Sequence, residues 1–213
     1  MSNTTTENGT YTSLINPVLI AGCIIILVSF SIRATFGLFQ IPIAEEFQWP
    51  RESFSFAIAI QNLFWGISQP FFSAMAEKYG DRKAIITGAG FYITGLVLSS
   101  FAITPGQHQM LESLVGCGIA GMGFGVILAV VGRSASDKNR SMALGIATAA
   151  GSAGQIIGPP VAQFLLNNMP WQQVFIVFAG FIMLSLLALT MMRIPARPQA
   201  SAQKDEQRST VVL

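Results

Sequence analysis

Charged side chains are scarce in this sequence. Asp, Glu, Lys and Arg together make up 10% of the 213 residues, whereas hydrophobic residues make up 52%. A water-soluble globule of this size needs far more polar surface to cover its core, so the composition excludes a soluble domain. The net charge of +2 is equally small. It offers no basic excess of the kind that binds nucleic acid, and we expect no nucleic-acid partner.

Residues that hold metals, form disulfides or perform catalysis are also few. The sequence has two cysteines and one histidine, and Cys23 and Cys117 each lie in an apolar run. We therefore expect two buried thiols rather than a disulfide or a metal pair. There is no HExxH pair, and no Ser-His or Cys-His set that His108 alone would complete. The sequence predicts neither an enzyme nor a metal site nor a cofactor.

Long apolar runs, by contrast, fill most of the chain. A membrane-spanning helix needs about 20 mostly apolar residues, because roughly 30 Å of hydrocarbon is crossed at about 1.5 Å per residue. The runs that reach this length, here called spans 1 to 6, are 17–41, 53–76, 84–104, 110–132, 141–166 and 172–192. The sequence therefore predicts an all-α polytopic bundle of six transmembrane helices over residues 17–193. An N-terminal tail (1–16) and a polar tail or start of a central linker (194–213) flank it.

The basic residues predict the orientation of this bundle. Ten Lys and Arg residues follow spans 2, 4 and 6, whereas Arg51 alone lies in the connections on the opposite side. Short loops rich in Lys and Arg stay in the cytoplasm, so both termini are expected there. Residues 1–16 contain no Lys or Arg, and the run of about 25 residues that follows them has no small-residue cleavage pattern, so span 1 does not resemble a signal peptide.

Small and polar residues recur at helical spacing in spans 1, 2, 4 and 5, which predicts that these helices build the interior or a cavity, with span 6 at the periphery. Arg33, inside span 1, is the most informative of them. An intramembrane guanidinium suits bidentate capture of a carboxylate, which predicts a small organic anion as substrate. The alternatives are snorkelling to the outer interface and a bond to a backbone carbonyl. Gln61, Asn62 and Gln155 are predicted to orient the ligand, or else to join helices by hydrogen bonds.

His108 and Glu112 lie four residues apart at the outer end of span 4. They are a candidate proton-coupling pair, with H⁺ as the second ligand. The alternative is a solvated pair at the membrane interface.

Glycines form two further patterns. Residues 116–121 match the dinucleotide fingerprint GxGxxG, but that motif requires a preceding strand, and here it lies in an apolar run of spanning length. We interpret it as a chance match whose glycines let helices pack closely. Gly154 and Gly158, followed by Pro159, predict that span 5 approaches a neighbour closely and bends.

A charged turn, Glu77-Lys78-Tyr79-Gly80-Asp81-Arg82-Lys83, separates spans 2 and 3. It resembles the signature of the major facilitator superfamily, although Ser73 stands in place of its first Gly and Asp81 stands where a base is usual. Residues 154–159 resemble the fifth-helix signature of the same superfamily. Residues 33–39 and 47–51 resemble its bacterial monocarboxylate-transporter-like branch, which includes oxalate and formate exchangers.

This resemblance implies the N-terminal six-helix half of a secondary transporter in the bacterial inner membrane, working with a second half by alternating access. It implies a gating role for Glu77, Lys78, Gly80, Arg82 and Lys83, which lock the cytoplasmic side in that family. The positive-inside rule alone would also explain the bases, Lys83 in particular. The alternative function is a six-helix membrane fragment or interaction subunit that transports nothing.

Overall fold

The computed structural model describes residues 13–192, so the tail 194–213 and most of the tail 1–16 lie outside the described residues. Within this range the chain is helical and contains no strand. The helices are α1 (Pro17–Arg33), α2 (Gln40–Phe47), α3 (Arg51–Tyr79), α4 (Asp81–Ser99), α5 (Pro105–Met122), α6 (Phe124–Ser134), α7 (Arg140–Asn168) and α8 (Trp171–Ser185). A 3₁₀ turn (Phe36–Phe39) joins α1 to α2, and another (Leu186–Met191) follows α8.

The all-α prediction is confirmed, and each predicted span coincides with helical structure. Three stretches of the described chain are long and apolar enough to cross a membrane: Pro17–Phe47, Pro105–Ser134 and Trp171–Met191. These correspond to spans 1, 4 and 6. Helices α3, α4 and α7 contain more polar residues, and their crossing of the membrane stays a prediction.

The helix ends follow from capping residues. Asn16 accepts a hydrogen bond from the Leu19 amide (2.9 Å), and Pro17 begins α1 without needing an amide partner. Before α5, Thr104 and Gln107 form a reciprocal capping box. This box starts α5 five residues before the predicted beginning of span 4, and it therefore includes His108 in the helix.

Helix α5 lies against both α3 and α4, and glycines make this close packing possible. The Gly118 Cα faces the backbone of Tyr92 on α4, while Gly116 faces the backbone of Gln61 on α3, and neither site has room for a Cβ atom. The glycine-rich stretch 116–121 is thus a packing surface inside a helix, as interpreted from the sequence. Cys117, in the same stretch, is a free and only half-buried thiol, as is Cys23.

A second close contact joins α1 to α7. A Cβ atom at Gly154 or Gly158 would collide with the carbonyl oxygens of Leu27 and Ser31. The Ser31 hydroxyl also donates to the Gly154 carbonyl (2.9 Å). Span 5 thus lies close to span 1 at Gly154 and Gly158, whereas the bend expected at Pro159 stays a prediction.

Two long helices present a wide exposed face. Helix α7 buries one narrow stripe of small residues, namely Ala143, Ala147, Gly151, Gly154, Gly158 and Ala162. Helix α3 likewise buries only a stripe of its 29 residues and leaves Leu63, Ile67 and Phe71 exposed. Among the described helices, these two therefore offer the chain's long unburied faces.

Candidate functional site

Arg33 is the last residue of α1, and its guanidinium group lies against α3. Its Nη2 atom donates to Asn62 Oδ1 (2.8 Å), and its Cζ atom lies 4.5 Å from the centroid of the Trp65 ring. Asn62 is itself oriented, because its amide nitrogen donates to the Ile58 carbonyl (2.8 Å). The hydrogen bond of the Arg33 side chain thus goes to a side-chain amide and not to a backbone carbonyl.

The Arg33 site retains unused hydrogen-bond donors. Arg33 Nε and the Trp65 indole Nε1 are both buried and have no hydrogen-bond partner. A buried donor without a partner costs about 1 to 3 kcal/mol, so a ligand oxygen that reached either atom would recover that free energy. A guanidinium held by one amide and one ring therefore has part of its fork free for a planar anion.

The other predicted ligand residues divide into two groups. Gln61 is buried beside Asn62, but its amide nitrogen donates to Glu112 Oε2 (2.7 Å) rather than towards Arg33. Gln155 is exposed on α7. The structure thus brings Asn62 to Arg33 and does not bring Gln61 or Gln155 into contact with it, because consecutive helical residues point in different directions and α7 turns its glycine stripe, not Gln155, towards α1.

The charged turn between α3 and α4 is built on Gly80. Its φ of 97° lies in the region that favours glycine, and its amide donates to the Ala76 carbonyl (3.1 Å). Asp81 follows as the first residue of α4, where the helix dipole favours a negative charge, and it is buried. Its Oδ2 atom accepts from Nη2 of Arg133 at the end of α6 (2.6 Å). The unusual acid of this turn thus forms an ion pair between two helix ends.

The other residues of the turn lie at the surface. Arg82 donates to the Leu189 carbonyl (3.2 Å), which ties the start of α4 to the turn after α8. The Lys78 ammonium lies 5.1 Å from the centroid of the Tyr79 ring. Glu77 and Lys83 are exposed.

His108 and Glu112 are buried, with 3% and 1% of their surface exposed. Their closest atoms, His108 Nε2 and Glu112 Oε1, are 3.6 Å apart. The interpretation of this pair as solvated is therefore wrong, whereas its position at the membrane interface stays a prediction. The prediction failed because α5 begins at Pro105, before the predicted start of span 4, so that His108 and Glu112 face α3 and α8 instead of the outer loop.

Sequence reasoning missed Trp65 and Arg133. Trp65 is three residues after Asn62, so the two share a helix face, and this spacing would have placed the ring beside any partner of Asn62. Arg133 had no such local signal, since its partner Asp81 is 52 residues away. No group of three metal-ligating side chains occurs among residues 13–192.

Comparison with known proteins places this geometry in context. The sequence matches the family described as Major Facilitator Superfamily over residues 21–213. It is 31% identical to monocarboxylate transporter 13 of Bos taurus over 145 residues, which are 67% of this chain and 33% of that protein. It is 24% identical to monocarboxylate transporter 12 of Rattus norvegicus over 202 residues, or 90% of this chain and 40% of that protein.

A bacterial relative is similarly distant. The multidrug resistance protein MdtL of Escherichia coli O81 (strain ED1a) is 29% identical over 140 residues, or 64% of this chain and 35% of that protein. The chain thus spans only about one third to two fifths of the length of these relatives.

Proposed function

Since this chain belongs to the major facilitator superfamily and is a multi-pass membrane protein, we propose that it forms the N-terminal six-helix half of a secondary transporter. In this proposal α3, α4 and α7 also cross the bilayer. The basic residues after spans 2, 4 and 6 favour an orientation with both termini in the cytoplasm. The membrane we propose is the bacterial inner membrane.

The proposed substrate is a small organic anion such as a monocarboxylate. The observation that carries this proposal is the Arg33 guanidinium, which Asn62 and Trp65 hold while its buried Nε remains unpaired. A carboxylate is the planar anion that a guanidinium fork binds best. The names of two relatives, both monocarboxylate transporters, agree with this substrate class.

Transport by alternating access requires a second six-helix half. The chain's length relative to its relatives supports this requirement, and so do the wide exposed faces of α3 and α7. We propose that a second half covers these faces, either as the continuation of a longer protein or as a second copy of this chain. The exposed Gln155 would then face the second half, and the outer surface of the bundle would contact lipid.

The cytoplasmic turn is the proposed gate. Gly80 allows the sharp reversal, Arg82 binds the turn after α8, and the Asp81–Arg133 pair joins α4 to α6. Glu77, Lys78 and Lys83 are exposed beside these contacts, on a surface that helix ends of the second half would meet. Opening on this side would separate charges that are paired when it is closed.

A binding measurement on the purified chain in lipid nanodiscs tests the substrate proposal. Titration with pyruvate, oxalate and formate, monitored by calorimetry, should reveal carboxylate binding. Arg33→Gln should abolish that binding, and Arg33→Lys should weaken it about tenfold or more, because an ammonium keeps the charge but not the fork. Arg51→Gln is the matched control, since Arg51 is exposed at the start of α3.

Equal affinity of the wild-type and Arg33→Gln proteins would overturn the anion site.

The DNA that follows codon 213 tests the proposal of a second half. An in-frame or frameshifted continuation with six more spans would favour one long permease, whereas its absence would require a dimer. A chain that binds no carboxylate either alone or with a second half would favour the non-transporting alternative.

A further inference from the structure

A groove with α1 as its floor lies between α7 and α8. Its volume is about 240 Å³, and its surface is almost entirely apolar. The floor and the two walls include two apolar residues from each helix, namely Leu27, Ile32, Ile157, Val161, Phe178 and Phe181. Neither the Arg33 site nor the charged turn includes any residue of this cavity, which is called the α1–α7–α8 groove below.

The groove opens to the side of the bundle. Phe178 at its base is 2% exposed, whereas Phe181 and Ile157 at its rim are 40% and 49% exposed. The ring centroids of Phe178 and Phe181 are 6.4 Å apart, so the two rings line one wall from base to rim. A ligand can therefore enter sideways, between two helices. Because an empty groove deprives its lining of packing contacts, an occupant of the right shape is favoured.

The polar groups at the floor are already bonded within the protein. The Ser31 hydroxyl donates to the Gly154 carbonyl (2.9 Å), and the Thr35 hydroxyl donates to the Ile32 carbonyl (2.7 Å). Among the described residues that line the groove, no side-chain donor is left for a ligand. A polar ligand or a row of waters would give up hydrogen bonds on entry and regain few. The chemistry of the groove therefore selects a hydrocarbon.

The groove lies at membrane depth. Its floor follows α1 from Leu27 to Thr35, a length of about 12 Å, and Leu27 lies about 15 Å along the helix from Pro17. Floor and α8 wall both belong to stretches that are long and apolar enough to cross a membrane. The opening therefore meets the hydrocarbon of the bilayer, from its middle towards the leaflet opposite the N-terminus.

The groove opens on the apolar flank of α7. Successive residues of a helix are about 100° apart, so Gln155 and Ile157 lie about 200° apart around α7, and Ser152 and Val161 about 180° apart. The flank that carries Gln155 and Ser152 is the one that the second half is proposed to cover. The flank that carries Ile157 and Val161 points away from it. Lipid, and not the second half, therefore meets the groove.

The groove also lies behind the helix that carries Arg33. Ser31 and Arg33 are two residues apart, so they lie about 200° apart around α1. The Arg33 guanidinium contacts α3 on one side of α1, whereas the groove is on the other side. An occupant would thus pack against the back of α1 and would not touch the anion site.

We propose that the α1–α7–α8 groove binds one acyl chain of a membrane phospholipid; this inference rests on the function proposed above only for the crossing of α7 and the orientation, which makes the leaflet the outer one. An acyl chain has no hydrogen-bonding group along its length, is present at this depth and is thin enough to lie between two helices. The chain passes from one apolar medium to another, so packing contacts and not the hydrophobic effect hold it in place.

Photo-cross-linking of the full chain in lipid nanodiscs tests the site. The nanodiscs contain phosphatidylethanolamine and phosphatidylglycerol, and part of the phosphatidylethanolamine carries a diazirine within one acyl chain. Mass spectrometry then identifies the cross-linked residues. Ile157 should be labelled several-fold more than Ile176, which is equally exposed (49%) on α8 but lies outside the groove. Equal labelling of the two isoleucines would show ordinary lipid contact only and would overturn the proposal.

A variant that fills the groove gives the second arm of the test. Ile157→Trp places a large ring in the groove and should abolish the cross-link at Val161. Ile156→Trp, the matched control, adds the same ring at the neighbouring exposed position outside the groove and should retain that cross-link. Should Ile157→Trp fail to fold, Val161→Phe fills the same space, and the cross-link at Ile157 is then the one to disappear. A cross-link that persists in the folded filling variant would overturn the proposal.

Two further comparisons separate this site from the function proposed above. Arg33→Gln should retain the cross-links, because Arg33 lies on the other side of α1. Cross-links retained in a chain that binds no pyruvate would support the lipid site and overturn only the anion function. Pyruvate binding without preferential labelling of the groove would do the reverse. Cross-links that vanish when a second half is present would show that protein covers the groove, and would overturn the acyl-chain site.

Discussion

Asp81 at the start of α4 and Arg133 at the end of α6 form an ion pair in which Arg133 Nη2 donates to Asp81 Oδ2 over 2.6 Å. Asp81 is 3% exposed and Arg133 is 26% exposed at their side chains. The pair joins two helix ends at the charged turn, and both helix dipoles favour the charges as they are placed.

A double-mutant cycle should show strong coupling between these two residues. Asp81→Asn and Arg133→Gln should each lower the thermal unfolding midpoint in detergent, and the double variant should lose less than the sum, with a coupling of about 1 to 3 kcal/mol. The matched control is the solvent-exposed pair Asp137–Arg140, whose Oδ1 and Nη2 atoms are 3.0 Å apart, and it should show little coupling. Additive losses at Asp81 and Arg133 would contradict a role for their pairing.

The contact between α1 and α7 predicts opposite outcomes for two glycines of one helix. Gly154→Ala would push a methyl group against the Leu27 carbonyl and should destabilise the protein by about 1 to 3 kcal/mol. Gly145→Ala meets open space on the same helix and should be neutral or slightly stabilising. Thermal unfolding in one detergent compares them, and equal midpoints would show that the helices separate more easily than their packing implies.

Trp65 should contribute to anion affinity through its ring face. Trp65→Leu removes the surface on which the guanidinium rests and should weaken pyruvate binding about two- to thirtyfold. Trp65→Phe keeps a ring face and should lose less affinity than Trp65→Leu. Calorimetric titration of both variants resolves these effects, and wild-type affinity in Trp65→Leu would show that Asn62 alone orients Arg33.

Cysteine labelling in intact cells checks the orientation. In a background with Cys23→Ala and Cys117→Ala, Glu52→Cys should react with a membrane-impermeant maleimide added outside. Lys138→Cys should react only after the membrane is permeabilised, because the basic connections are expected in the cytoplasm. Both positions are exposed, so burial does not bias the comparison. The reverse pattern would invert the topology.

The positions of the helices were predictable because apolar runs of spanning length are local signals. The apolar run that includes Arg33 corresponds to α1, the 3₁₀ turn and the start of α2. The charged turn at Gly80 lies between two helices, as predicted. The start of α5 was missed although its capping residues, Thr104 and Gln107, are visible in the sequence. Because a hydropathy criterion does not consider capping residues, the predicted span began too late and left His108 outside the helix.

Contacts between helices were less predictable. Asn62 was expected near Arg33 and is there, but its neighbour Gln61 binds Glu112 and Gln155 faces outward. Which of two adjacent polar residues meets a given partner depends on the rotation of each helix. That rotation is determined by packing against distant glycines, such as Gly116 against α3 and Gly154 against α1, and not by the local sequence.

The two amides on α3 have a mechanical consequence. Gln61 and Asn62 are consecutive, so their side chains leave the helix axis about 100° apart. Gln61 forms a hydrogen bond to Glu112 on α5, and Asn62 accepts one from Arg33 on α1. Rotation of α3 about its own axis would lengthen both hydrogen bonds at once, whereas a movement of the three helices together would lengthen neither. We therefore expect α1, α3 and α5 to move as one unit in any conformational change that leaves these two hydrogen bonds intact.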